Sequence, residues 1–160
     1  MTCVRARIGT VTPASDEGNA IVEFVFVAIL VLVPLVYFIA AVASVQRSTL
    51  GVTQAARQAG RAFATSESTT QGRSRARVAV RLALADEGLA DDAELRYVPA
   101  GDDCEDATIA PELEPGAEFA VCVVRHAFLP GVPTLLAGRG VTTIGRYVLH
   151  VDDYRTVDPS

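Results

Sequence analysis

The stretch that decides the fold is DEGNAIVEFVFVAILVLVPLVYFIAAVASV, from Asp16 to Val45. From Phe24 to Val45 it carries about 22 residues without a charge, and about 20 suffice for a helix to span a hydrocarbon core of about 30 Å. No polar face interrupts the run, so its whole circumference expects lipid or other helices. The pattern predicts a transmembrane helix over 19–45, kinked at Pro34, where the ring removes a backbone hydrogen bond and crowds the preceding turn.

Two residues are out of place in a plain anchor: the carboxylate of Glu23 inside the first turns, and Gly18 just ahead of them. A charge costs about 2.5–3.5 kcal/mol at the bilayer centre and less near its edge, so Glu23 needs a shallow position or a partner. In one reading it sits at the interface, favoured by the positive end of the helix dipole. In the other, cleavage after Gly18 frees an α-amino group on Asn19, about one helical turn from Glu23. In a packed array the ammonium of one subunit then neutralises the glutamate of the next, which fixes axial register.

Gly18 followed by Asn19-Ala20-Ile21-Val22-Glu23-Phe24 resembles the processing site of type IV prepilins, where the leader ends in glycine and the fifth mature residue is glutamate. The Glu23-Phe24 pair and the small residues after the glycine are most similar to the Tad (tight adherence) branch and its TadE-like pseudopilins. The segment GRYVLHVDDYR, residues 145–155, which follows a proline-containing apolar link, is similar to the C-terminal half of the same proteins, though less specifically. The resemblance implies a cytoplasmic leader over 1–18 and cleavage by a prepilin peptidase. It also implies lateral association with a major Flp-type pilin, a second minor pseudopilin, an inner-membrane assembly platform and membrane lipid, in pilus assembly, adherence or secretion.

A secretory signal is the competing arrangement. Ala41-Val42-Ala43 is a small-x-small site whose cleavage would release a domain starting at Ser44, but the apolar stretch is long for that class. The corresponding function is a secreted or single-pass membrane-anchored binding domain unrelated to pili. Sidedness is contested within the sequence. Arg47, Arg57 and Arg61 after the run outweigh Arg5 and Arg7 before it, which favours a cytoplasmic C-terminal domain. The expectation is nonetheless an extracytoplasmic domain on a bacterial cytoplasmic membrane, because long domains translocate despite their charge and a cysteine pair suits an oxidising compartment.

Beyond the run, Val45, Val52, Ala55, Ala56, Ala59 and Phe63 fall on one helical face, with Gln46, Arg47, Gln54, Arg57, Gln58 and Arg61 opposite. The helix therefore continues over 46–63 as an amphipathic extension. The remainder, 64–160, suffices for one small domain. A Ser/Thr-rich break, ATSESTTQG, precedes a second helix expected from Arg73 to Glu87 and capped by Gly88, with Val78, Leu82, Ala85 and Leu89 as its buried stripe. Arg73, Arg75, Arg77 and Arg81 could suit an acidic partner or phosphate, but a solvated helix face is the reading adopted. The period then changes to two, placing strands near Glu94–Val98, Glu118–Phe128 and Thr142–Asp152. The fold class expected is α+β: one long helix, a second helix, and an antiparallel sheet of three to four strands on the amphipathic half of the first.

Cys104 and Cys122 lie on the same side of the span, Cys3 on the other. They form either a disulfide, worth about 3 kcal/mol by the chain-entropy estimate, or two separate buried thiols. Their spacing with His126 and His150 matches no zinc pattern, and the acidic loop GDDCEDATIAPELEPG lacks the ligand spacing of a calcium loop. A formal charge of −5 does not suggest a nucleic-acid binder. No nucleophile motif, phosphate-binding glycine loop or metalloprotease signature is present, so neither catalysis nor a cofactor is expected.

Overall fold

A computed structural model describes residues 17–127 and 140–154, with the backbone alone over 17–20. The expected leader falls outside these residues up to position 16, as do Cys3 and the apolar link with Leu135 and Leu136. Helix α1, Glu17–Ala64, runs without interruption through Pro34. The chain divides into two compact units between Ile39 and Ala40, and α1 contributes to both.

In the second unit the amphipathic reading of α1 holds. Val52, Ala55, Ala56, Ala59 and Phe63 are fully buried, Val45 is half-buried, and Gln46, Arg47, Gln54, Arg57, Gln58 and Arg61 are exposed. Helix α2 spans Thr69–Asp86, so it begins a turn earlier than expected. Ser68 is its N-cap: the hydroxyl accepts from the Gln71 amide, and the Gln71 side chain accepts in turn from the Glu67 amide. The helix ends as its sequence predicts. Gly88 adopts a φ of 66°, with Gly88 N–H donating to the Ala85 carbonyl and Leu89 N–H to that of Leu84.

The stripe expected to face the core does not. Gly72, Ala76, Val80, Ala83 and Leu84 are buried, whereas Val78 and Leu82 are 49% and 60% exposed and Ala85 is exposed. Only Leu89 packs on the core. Both stripes have helical period and lie on opposite faces; the smaller one wins because α1 and α2 meet closely. A Cβ on Gly72 would stand 2.8 Å from the Phe63 ring, and one on Gly51 2.5 Å from Leu89 Cδ1. A contact this close favours the stripe that carries Gly72, Ala76 and Ala83.

Three strands, β1 Glu94–Pro99, β2 Glu118–Ala127 and β3 Val141–His150, form an antiparallel sheet in the order β1-β2-β3. Phe119, Val121 and Val123 of β2 join the core with α1 and α2. The alternate residues Ala120 and Cys122 form a second cluster with Val98 and Cys104. The Cys104–Cys122 disulfide, with Cα atoms 5.7 Å apart, closes this cluster. Arg96 holds the same loop by donating to the carbonyls of Cys104 and Asp106 at 2.7 and 3.0 Å. Strand β2 is thus buried on both faces.

The sheet meets α1 backbone to backbone. A Cβ on Gly145 would lie 2.0 Å from the Val52 carbonyl oxygen, and one on Gly60 2.4 Å from the Tyr147 ring. Gly145→Ala should lower stability by about 2 kcal/mol or more, since overpacking against backbone cannot be relieved by a rotamer. Gly101→Ala, where nothing lies within 4 Å, should stay within about 0.5 kcal/mol; thermal unfolding of the two variants makes the comparison.

Candidate assembly site and membrane segment

The described residues of the first unit, up to Ile39, all belong to α1 and hold most of its apolar part. Among the described residues α1 is the one helix long and apolar enough to cross a membrane, and none of its most apolar window is buried within the protein. Phe24, Phe26 and Phe38 are 73%, 66% and 65% exposed, and the aliphatic residues between them are similarly bare. A continuous apolar surface of this kind is compatible with contact to lipid or to other helices.

Gly18, Asn19, Glu23 and Phe24 all lie within α1, close to its first residue, Glu17. Helical spacing puts positions 19 and 23 one turn apart on the same face. Glu23 is exposed, and among the described residues no cation lies within ion-pair distance of it. Its place near the helix start puts its charge toward the positive end of the dipole. Phe24 shares its exposure with the apolar run rather than with any part of a core.

Soon after the uncharged run, α1 carries a polar contact that the sequence did not signal. Ser48 is fully buried and lies 2.7 Å, hydroxyl to hydroxyl, from Thr143 of β3. Arg125 Nη1 donates to Ser48 Oγ at 3.1 Å, and Thr143 Oγ1 donates to the Arg125 carbonyl at 3.2 Å. The donors therefore run in one sense, with Ser48 giving its proton to Thr143. Asp92 completes the arrangement at 2.5 Å from Arg125 Nε. A guanidinium buried in this way is tolerated because it has a carboxylate and a hydroxyl to donate to. The partners are separated by 77 and 95 residues, so no local pattern could have found them.

The two histidines do not converge. His126 faces Thr142 at 3.2 Å, while His150 pairs with Glu118 at the other end of the β2–β3 ladder, roughly 27 Å away at strand spacing. His150 Nδ1 lies 3.0 Å from Glu118 Oε1, and Nε2 lies 3.6 Å from Asp153 Oδ2. The hydrogen bond to Glu118 holds its pKa above the ordinary value, with Asp153 adding to the effect. Among the described residues no three His, Cys, Asp or Glu side chains gather as a metal site. The chain matches no family model, no curated protein and no solved structure.

A membrane segment should be lost when charges are placed at its centre. Leu32→Arg with Leu35→Arg adds about 5–7 kcal/mol to insertion, so the double variant should leave the carbonate-resistant membrane fraction, in which the parent chain remains. For His150 the raised pKa means that its contact stabilises the fold fully below the unfolded-state value, and that this contribution is lost as pH rises through the folded value. Glu118→Gln should bring the His150 titration, followed by NMR, back toward the ordinary histidine value.

Proposed function

We propose that the chain is a TadE-like pseudopilin: a prepilin-like subunit cut after Gly18 by a prepilin peptidase and retained by the apolar half of α1 in a Tad-type pilus assembly. Its chemistry is done to it rather than by it. The observation that carries the reading is the continuity of α1. One helix holds Glu23 a turn beyond the proposed new N-terminus, then a bare apolar run, then an amphipathic stretch built into a folded domain. A cleaved secretory signal has no need of such continuity, because its apolar part is discarded.

In this reading the ammonium of Asn19 on one subunit pairs with Glu23 of a neighbour in the apolar medium, where an unpaired charge is costly. The apolar surface of 21–43 packs beside major pilin helices and lipid, and a second minor pseudopilin and the assembly platform are the further partners. The domain lies outside the cytoplasm, which agrees with its disulfide.

The test is the mature N-terminus, read by mass spectrometry on protein from its native membrane with and without the peptidase. A peptidase-dependent start at Asn19 is expected. A start at Ser44 would instead make it a secreted domain, and an intact Met1 a simple anchor. Glu23→Ala should leave membrane insertion intact while reducing co-purification with major pilin by at least about tenfold, the equivalent of 1.4 kcal/mol; equal loss of both would remove the pairing.

A further inference from the structure

A cavity of about 310 Å³ opens between the first half of α2 and strand β1, and its walls include Arg73, Arg77, Glu94, Arg96, Tyr97 and Ile109. Its charged lining is three arginines and one glutamate, a net +2, in a chain whose formal charge is −5. Arg73 and Arg77 stand four residues apart on one face of α2, a spacing at which like charges repel unless an anion lies between them. Glu94 is drawn toward Arg96, at 3.6 Å from its Nε, so among the described residues no carboxylate pairs with Arg73 or Arg77.

Tyr97 supplies the second observation. The residue is 9% exposed, its ring set between Phe63 and Phe119 at centroid distances of 5.5 and 6.0 Å. Its hydroxyl is buried and has no hydrogen-bond partner among the described residues. Such an orphan is costly, and native structures seldom keep one without use for it. Burial pushes the phenol up to about 12, opposed by the nearby charges of Arg73 and Arg77, so it keeps its proton as a donor. On the far side Ile109 is fixed by its amide, which donates to the Tyr97 carbonyl at 2.8 Å. Among the described residues, the larger cavity between α1 and α2, about 430 Å³, is lined by no buried polar atom without a partner.

We propose that the cavity between α2 and β1 binds a small oxyanion, a phosphate or carboxylate group, which accepts the Tyr97 O–H and pairs with the guanidinium groups of Arg73 and Arg77. These arginine side chains are exposed, and Tyr97 lines the same cavity beside them. The assignment does not depend on the pilus reading, because it rests on the second unit alone.

The full chain in detergent is unfolded thermally, followed by circular dichroism, in sodium phosphate and in sodium acetate against sodium chloride of equal ionic strength. A saturable rise in Tm is expected with at least one oxyanion, and the lower half-saturating concentration tells phosphate from carboxylate. Tyr97→Phe preserves the ring packing and should raise that concentration at least about tenfold without lowering the Tm in chloride. Arg77→Gln, on an exposed helix position, should do the same. Phosphate also stabilises proteins by exclusion from their surfaces, so a rise of equal size in both variants would overturn the proposal, as would Tm values in phosphate and acetate that equal those in chloride.

Discussion

The domain depends on how closely α1 can approach the sheet. The Val52 carbonyl occupies the space a side chain would need on Gly145, and the Tyr147 ring occupies that beside Gly60. Close packing gains dispersion contacts on every neighbouring atom and tolerates no added methyl group. From this distance the rest follows. Alanines 55, 56 and 59 line the buried face because larger residues would hold the helix off, and α2 presents Gly72 and Ala76 for the same reason. The seam is sealed at one end by Phe63, Tyr97 and Phe119, whose centroids lie 5.4 to 6.0 Å apart. At the other end the Ser48, Thr143 and Arg125 ring fixes the register of the helix, since a slip would strand buried donors.

Along α1 the burden of burial is divided. Residues from Ile21 to Ile39 leave large apolar side chains bare, whereas those from Val52 onward bury their apolar face inside the domain and turn arginine and glutamine outward. The first stretch satisfies its backbone internally and needs nothing further from water, which is the condition for life in a bilayer. Cooperative helix formation gives the two stretches a common element, although each answers to a different solvent.

The second face of the sheet is covered by a loop that contributes little core of its own. Cys104 reaches Cys122 in the middle of β2, and Arg96 ties the loop's carbonyls, so covalent and charge-assisted contacts replace the apolar area that a third layer would bring. The loop's acids stay in water, and Arg73 and Arg77 of α2 line the cavity beside β1.

Much of this was legible in the sequence because it is local. The length and uniformity of 24–45 define an apolar helix, the period of 3.6 from Val45 to Phe63 gives its amphipathic continuation, Gly88 marks the end of α2, and alternation places three strands within a few residues of their bounds. The Gly18, Asn19 and Glu23 spacing is likewise a property of sequence, since one turn of helix is enough to relate them. The contacts that join distant segments were decided only by the tertiary structure. Val78 and Leu82 match Val80 and Leu84 in size, yet the first two face outward and the second two are buried, because which stripe is buried depends on the fit against α1 and not on the stripe itself. The pairing of Ser48 with Arg125 and the meeting of Tyr97 with two arginines of another element join groups brought near by chain packing, and no periodicity within one segment encodes that proximity, whereas the Cys104–Cys122 disulfide was one of two readings the sequence offered.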